Sequence, residues 1–221
     1  MRMSKPVPDL PARTRERLLH TAERLFAARG FAATSVREIT DGAEANLGAV
    51  NYYFRSKENL YAEVFTRRAE LLRDPLVAAA REAGGCARAD PHRAFRVLGR
   101  AFLAPYEDRA SSLSLLNLFA RETVESRLPP RLFVQEFFVP AIDAIAGVVR
   151  QVRPDLSDAS AGACARAFFA QLVHIVKGMG LAVTPVEERL EQAVRFTVAG
   201  VAHLDDAAGG PTCARATRKP S

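Results

Sequence analysis

The chain reads as all-α, with about nine helices, and three observations predict this. Apolar residues recur at spacings of three and four along most segments. Cap signatures open one segment after another, with Ser, Thr, Asn or Asp standing just ahead of helix-compatible residues. No stretch alternates apolar and polar residues in the manner of a strand, and no internal repeat is present.

Taken in order, residues 1–11 hold Pro6, Pro8 and Pro11 with Arg2 and Lys5, and read as a flexible basic arm. A helix follows from Ala12, with Leu18, Leu19, Ala22, Leu25 and Phe26 on one face. It stops at Gly30, placed as the residue just past the C-cap, and Phe31 folds back onto Phe26. Ser35 with Glu38 forms a capping box, so a short helix starts at Ser35 or Val36 and breaks near Asp41-Gly42. Asn46 caps a second short helix, Leu47 to Tyr53, with Val50 and Phe54 four apart on one face. Ser56 caps the next helix, Glu58 lies in its first turn, and its apolar positions are Leu60, Val64, Phe65, Leu71 and Leu72, leading toward Pro75.

The pattern breaks at Ala83-Gly84-Gly85. Asp90 caps a helix that has Pro91 at its first position and Phe95, Leu98, Phe102 and Tyr106 facing inward. A further helix is expected over about residues 111–126. Another opens at Pro129-Pro130 and runs to Val152, kinked at Pro140 and ended by Pro154. From Ser157 or Ser160 a helix carries Ala161, Ala165, Phe168, Leu172, Ile175 and Met179 at alternating spacings of four and three, with a second stripe at Cys164, Val173, Val176 and Val183. Apolar on two sides, it needs two partners, its own core and another subunit. Thr184-Pro185-Val186-Glu187 starts a last helix that ends near Leu204. Residues 205–221 are polar, rich in Gly, Pro and Ala, and expected to be disordered.

Composition narrows the function classes. At 221 residues, 48% hydrophobic and 25% charged, the chain is long and apolar enough to bury a real core. No apolar run approaches a membrane span and the first residues lack a signal-peptide core, so a cytoplasmic protein is expected. Cys86, Cys164 and Cys213 are widely spaced and form no CxxC pair, which predicts free thiols and no metal site. No nucleophile elbow, phosphate loop or HExxH motif occurs. Neither an enzyme nor a cofactor is therefore expected. The net charge of +6 is compatible with a polyanionic partner.

Two helices joined by a few residues, the second short and carrying polar residues and tyrosines, have the layout of a helix-turn-helix DNA reader. The order TSVREI from Thr34, the turn AEAN from Ala43, and LGAVNYYFRSKENLY from Leu47 resemble the DNA-binding domain of the TetR family of bacterial transcriptional regulators, over about Arg13 to Phe65. YYF-x-SKE is the most specific part. The turn departs from the family pattern, with Glu44 where glycine is usual. If the backbone there needs a positive φ, glutamate costs about 1 kcal/mol.

The resemblance implies that Leu47, Gly48, Ala49, Asn51 and Tyr52 face bases. Leu47 and Ala49 would pack on thymine methyls, Gly48 would let the backbone approach, and Asn51 would bond an adenine edge. Tyr53 and Lys57 match phosphate-holding positions. Thr34 and Ser35 serve either as caps or as phosphate ligands. Asn46 is a cap or a base reader, and either tyrosine could instead pack in the small core. One such unit offers few contacts, so a homodimer on a palindromic operator is expected, and the resemblance also implies a helical effector half in which several phenylalanines line an apolar ligand cavity. Candidate ligand residues are Phe95, Phe102, Phe119, Glu122, Phe133, Phe137, Gln171 and His174, with core filling as the alternative for each phenylalanine. Candidate dimer residues are Ile145, Val149, Phe168, Leu172, Ile175 and Met179.

The resulting expectation is a three-helix DNA-binding domain over 12–60, followed by a helical-bundle ligand-binding and dimerisation domain over 61–204. Its function would be that of a ligand-released repressor. The alternatives are an activator or partner-sensing regulator of the same fold, and a helical enzyme or lipid-binding module.

Overall fold

The computed structural model describes residues 10–106, 118, 134–178 and 184–205. Among them are eight α-helices and no β-strand. We number the helices α1 (Leu10–Arg29), α2 (Val36–Gly42), α3 (Ala49–Phe54), α4 (Lys57–Gly84), α5 (Pro91–Leu103), α6 (Val139–Val152), α7 (Asp158–Lys177) and α8 (Val186–His203). The chain forms two compact units. One comprises Met1–Val77 with Ala101–Ala141, and the other comprises Ala78–Arg100 with Ile142–Ser221. This grouping follows packing and differs from the expected division at residue 60, which concerns function.

In the first unit, α1 buries Leu18, Leu19, Ala22, Phe26 and Ala27, while Leu25 is half-buried. Gly30 ends the helix at φ 83° with its N–H on the Phe26 carbonyl (2.8 Å), and Phe31 stacks on Phe26 with centroids 5.9 Å apart, as the sequence predicts. The α1 side chains also tie to α4. Arg15 pairs with Glu63, Glu23 with Arg68, and Glu16 with Arg67 at 2.6 Å. The Arg68–Glu23 pair is the best shielded from solvent, so it suffers the least screening. Helix α4 buries Leu60, Tyr61, Val64, Phe65, Ala69, Leu72 and Leu76, but Leu71 lies 49% exposed, off the stripe assigned to it. The helix also continues past Pro75 to Gly84, because one missing N–H does not outweigh two flanking turns of buried apolar contact.

The kink expected at Pro140 takes the form of a π-helical turn over Val134–Phe138, immediately ahead of α6. Such a turn gives the carbonyls before a proline a wider register. The helix expected over 111–126 lies outside the described residues except Leu118, which is buried.

In the second unit, α7 and α8 pack along their lengths. Helix α7 starts at the Ser157 cap and buries Ala161, Ala165, Phe168, Phe169, Leu172, Ile175 and Val176. By length and composition α7 is apolar enough to cross a membrane, contrary to the sequence expectation, yet that stripe is core. Helix α8 starts one residue later than expected. Pro185 occupies the cap with no side-chain hydrogen bond, so the predicted Thr184 capping box does not form, and Glu187 and Glu188 supply charge to the first turn. Helix ends are closed across the unit by arginines. Arg189 donates to the carbonyls of His174 and Ile175 (both 3.2 Å), and Arg153 donates to those of Val201 (3.0 Å) and Ala202 (2.8 Å). Arg96 pairs bidentately with Glu191, joining α5 to α8.

Two stability measurements check this packing. A Cβ at Gly99 of α5 would overlap Leu190 Cδ1 and lie 3.5 Å from Leu172 Cδ2. Gly99→Ala should therefore lower stability by about 1–3 kcal/mol through overpacking, despite alanine's better helix propensity. A melting temperature unchanged or raised would contradict the close α5–α8 approach. Asp155, hydrogen-bonded by Arg153, has its carboxyl pKa lowered from 3.8 to about 2. A depressed carboxyl stabilises the fold above its unfolded pKa, so this contribution is whole above about pH 4 and lost as pH falls through about 2. Asp155→Asn should flatten that part of the acid-denaturation profile.

Candidate nucleic-acid interface

The site is built around a six-residue helix that cannot stand alone, since an isolated helix this short does not repay its nucleation. Val50 and Phe54 are its anchors, at 0% and 4% exposure. Arg15 of α1 lies over the Phe54 ring at 5.1 Å from its centroid, and its guanidinium also pairs with Glu63 of α4. Thus α1, α3 and α4 meet at one guanidinium. With that face held, the opposite one is turned to solvent, where Leu47 is 59% and Tyr52 81% exposed. Gly48 and Asn51 are exposed beside them, and Ala49 is half-buried. Asn51 and Tyr52 lie on the helix itself, and Leu47 stands in the turn just before it.

The approach to α3 is fixed by caps. Ser35 Oγ accepts from the Glu38 N–H (3.1 Å) while the Glu38 carboxylate accepts from the Ser35 N–H (2.8 Å), completing the predicted capping box. These bonds, with Arg29 nearby, hold the Glu38 carboxyl below its ordinary pKa. Asn46 Oδ1 accepts from the Gly48 N–H (3.0 Å), a local bond within the turn ahead of α3, whose N-cap is Gly48. The helix proper begins at Ala49, two residues later than expected, because Leu47 and Gly48 belong to that turn. Ser56 Oγ accepts from the Asn59 N–H (3.1 Å) and caps α4 as predicted.

Thr34 and Ser35, open to either role, both make capping bonds. Thr34 is buried and its hydroxyl donates to the Gly30 carbonyl (2.8 Å), so it closes the end of α1 and is not available to a phosphate. The Ser35 hydroxyl is exposed but donates to Glu38 (2.8 Å), inside the capping box. Tyr52 does not join the core. Tyr53 is half-buried, edge-on to Tyr52 with centroids 4.8 Å apart. The Lys57 ammonium lies 4.1 Å from the centroid of the Phe31 ring, at the start of α4. Sequence reasoning passed over Arg37 on α2 and Arg55 at the end of α3, both exposed cations of the helix-turn-helix segment. Arg55 stands at φ 69°. Their signal was positive charge flanking the short helix.

The ligand and dimer candidates do not assemble in the same way. Phe95 packs edge-on against Phe168 (5.2 Å between centroids), Phe102 against Tyr106 (5.8 Å) and Phe137 against Phe138 (5.7 Å), all core contacts. Gln171 donates to Thr197 Oγ1 (3.3 Å), and His174 is exposed. Phe119, Glu122 and Phe133 lie outside the described residues. Of the dimer candidates, Ile145, Val149, Phe168, Leu172 and Ile175 are 0–3% exposed within the protomer, so their stripe is internal core and presents nothing to a second subunit; Met179 is outside the described residues. The 3.5-residue seam reported helix packing correctly but could not say whether the partner was the same chain.

Comparison with known proteins agrees with this geometry. The family model "Bacterial regulatory proteins, tetR family" matches residues 18–64. The HTH-type transcriptional repressor KstR2 of Mycolicibacterium smegmatis is 42% identical over 62 residues, 28% of this chain and 30% of that protein. The matched stretch thus spans under a third of such relatives. A TetR family transcription regulator from Marinobacter aquaeolei VT8 shares the fold at a TM-score of 0.66 and 18% identity, covering 84% of this chain and 94% of the other. The flavonoid-responsive regulator FrrA does so at 0.64 and 22%, covering 86% and 95%. Residues 18–64 thus match the DNA-binding domain of the tetR family of bacterial regulatory proteins in sequence, and the described helices share the fold of solved regulators of that family.

Proposed function

We propose that this chain is a sequence-specific DNA-binding transcriptional regulator, a homodimeric repressor that a small apolar ligand releases from a palindromic operator. The observation that carries the reading is the outward face of α3. The six-residue helix is anchored by Val50 and Phe54 and leaves Tyr52 in solvent, as does the turn before it Leu47, so large side chains and the exposed Asn51 are offered outward at one short helix. In a major groove Leu47 would meet thymine methyls, and Asn51 an adenine edge. Tyr53, Lys57, Arg37 and Arg55 would supply phosphate contacts. Residues 12–60 would carry DNA binding, and 61–204 effector binding and dimerisation.

One reading unit gives few contacts. A twofold dimer doubles them and sets half-sites one helical turn apart, roughly 34–36 Å. The surface that suits a second copy lies on the outer side of α7 and α8. There Ala163, Ala167, Ala170 and Gly200 are exposed small residues, and Phe196 is 72% exposed. KstR2, a transcriptional repressor, supports a repressor role, and FrrA, a flavonoid-responsive regulator, supports ligand response.

Gly48 offers the sharpest test. Its φ is −71°, and an added Cβ would meet nothing nearer than Asn46 Oδ1 at 3.7 Å, so the fold does not require glycine there. Gly48→Ala should leave the melting temperature unchanged or slightly raised while weakening binding to the DNA upstream of its own gene by about tenfold or more, since the methyl intrudes on the duplex. Undiminished affinity would remove Gly48 from the interface. Phe196→Glu should convert dimer to monomer in sedimentation and weaken operator binding with it; a stable dimer would place the interface elsewhere.

A further inference from the structure

Helix α2 ends in a Schellman motif. The Glu44 N–H donates to the Asp41 carbonyl (3.1 Å) and the Ala45 N–H to the Thr40 carbonyl (2.9 Å). The residue this motif places in the left-handed region is Glu44, at φ 49°, where glycine is usual. The other turn carbonyls are met from α1. Thr21 Oγ1 donates to the Gly42 carbonyl (3.4 Å), and Arg17 Nη2 donates to that of Glu44 (3.4 Å). Arg17 Nη1 also lies 3.8 Å from the Glu44 carboxylate. The approach is close, since a Cβ on Gly42 would sit 2.9 Å from Thr21 Cγ2. Arg17 therefore holds both the backbone and the side chain of the strained residue, a few positions ahead of α3.

We propose that Arg17 is a positioning residue for DNA recognition. By pinning Glu44 to α1 it keeps the turn in its left-handed conformation and so sets the direction in which α3 leaves it. Relaxation of Glu44 toward ordinary φ would re-aim the turn residue Leu47 and the α3 residue Asn51. The glutamate and the arginine form a matched pair, in which an unfavourable turn residue becomes a charged handle for the first helix. Both side chains are well exposed, at 50% and 86%, so the pair acts through geometry more than through electrostatic stabilisation. The proposal rests on the DNA-binding reading above.

A double-mutant cycle tests it, with Arg17→Ala, Glu44→Gly and their combination measured against duplex DNA from upstream of the protein's own gene. Glycine adopts the turn without help, so the pin becomes dispensable in that background. Arg17→Ala should weaken binding about fivefold in the parent and less than twofold beside Glu44→Gly, with an unchanged salt slope. Equal losses in both backgrounds, with the slope shallower by about one, would make Arg17 a phosphate ligand and overturn the positioning role. No loss in either would overturn it too. Hydrogen exchange of the amides from Ala45 to Tyr53 runs the same cycle without DNA. Arg17→Ala should speed exchange in the parent and not beside Glu44→Gly. Coupled exchange in a protein that binds no duplex would sink the DNA reading and keep the pin, whereas uncoupled exchange would sink the pin.

Discussion

Everything around α3 depends on two buried side chains. Helix α3 is too short to be stable by itself, and Val50 and Phe54 anchor it by burial worth about 1.5–3 kcal/mol each. Because those residues sit four apart, the helix presents one fixed face to the protein and one to solvent. Aim, and not only attachment, matters at such a surface. A reading helix must hold its side chains in register with base edges, and a shift of an ångström or so loses hydrogen bonds of that length. The supports are arranged accordingly. Arg15 lies over Phe54 while pairing with Glu63, and α1 and α4 are joined by two further ion pairs.

The same end of the protein carries its backbone strain. Among the described residues, Glu44 and Arg55 are the two non-glycine positions with positive φ, and they bracket α3 on either side. Each costs about 1–2 kcal/mol relative to an unstrained residue. Strain of this kind persists only when neighbouring structure over-determines it. Around Glu44 the over-determination is visible as two Schellman bonds and two donors from α1. At Arg55 it is a single bond from its N–H to the Asn51 carbonyl (3.1 Å).

How far the sequence was legible follows from how local each signal is. The capping box at Ser35, the glycine stop at Gly30, the Ser56 and Ser157 caps and the Val50–Phe54 pair are short-range patterns, and all appear as read. The Glu44 anomaly was legible as well, because a glycine position occupied by glutamate points to a specific dihedral angle. Signals that needed tertiary context were harder to read. Thr34 could not be told from a phosphate ligand until its hydroxyl was found on the Gly30 carbonyl. The Ala161 to Ile175 stripe carried the spacing of a helix seam, but spacing does not identify the partner, and the partner is the chain's own core. Pro75 reads as a helix end by propensity, yet burial on both sides carries α4 through it. The ligand candidates were hard to read for a related reason, since a phenylalanine lining a cavity and one filling a core have the same sequence signature.

Selection of duplexes from a random pool by the full-length protein, followed by sequencing, addresses the outward role of α3 most directly. Two inverted half-sites with centres one helical turn apart, roughly 34–36 Å, are the predicted consensus, with each half-site degraded by substitution of Asn51 or Tyr52. A pool that emerges unenriched, or one whose consensus is indifferent to both side chains, would contradict it.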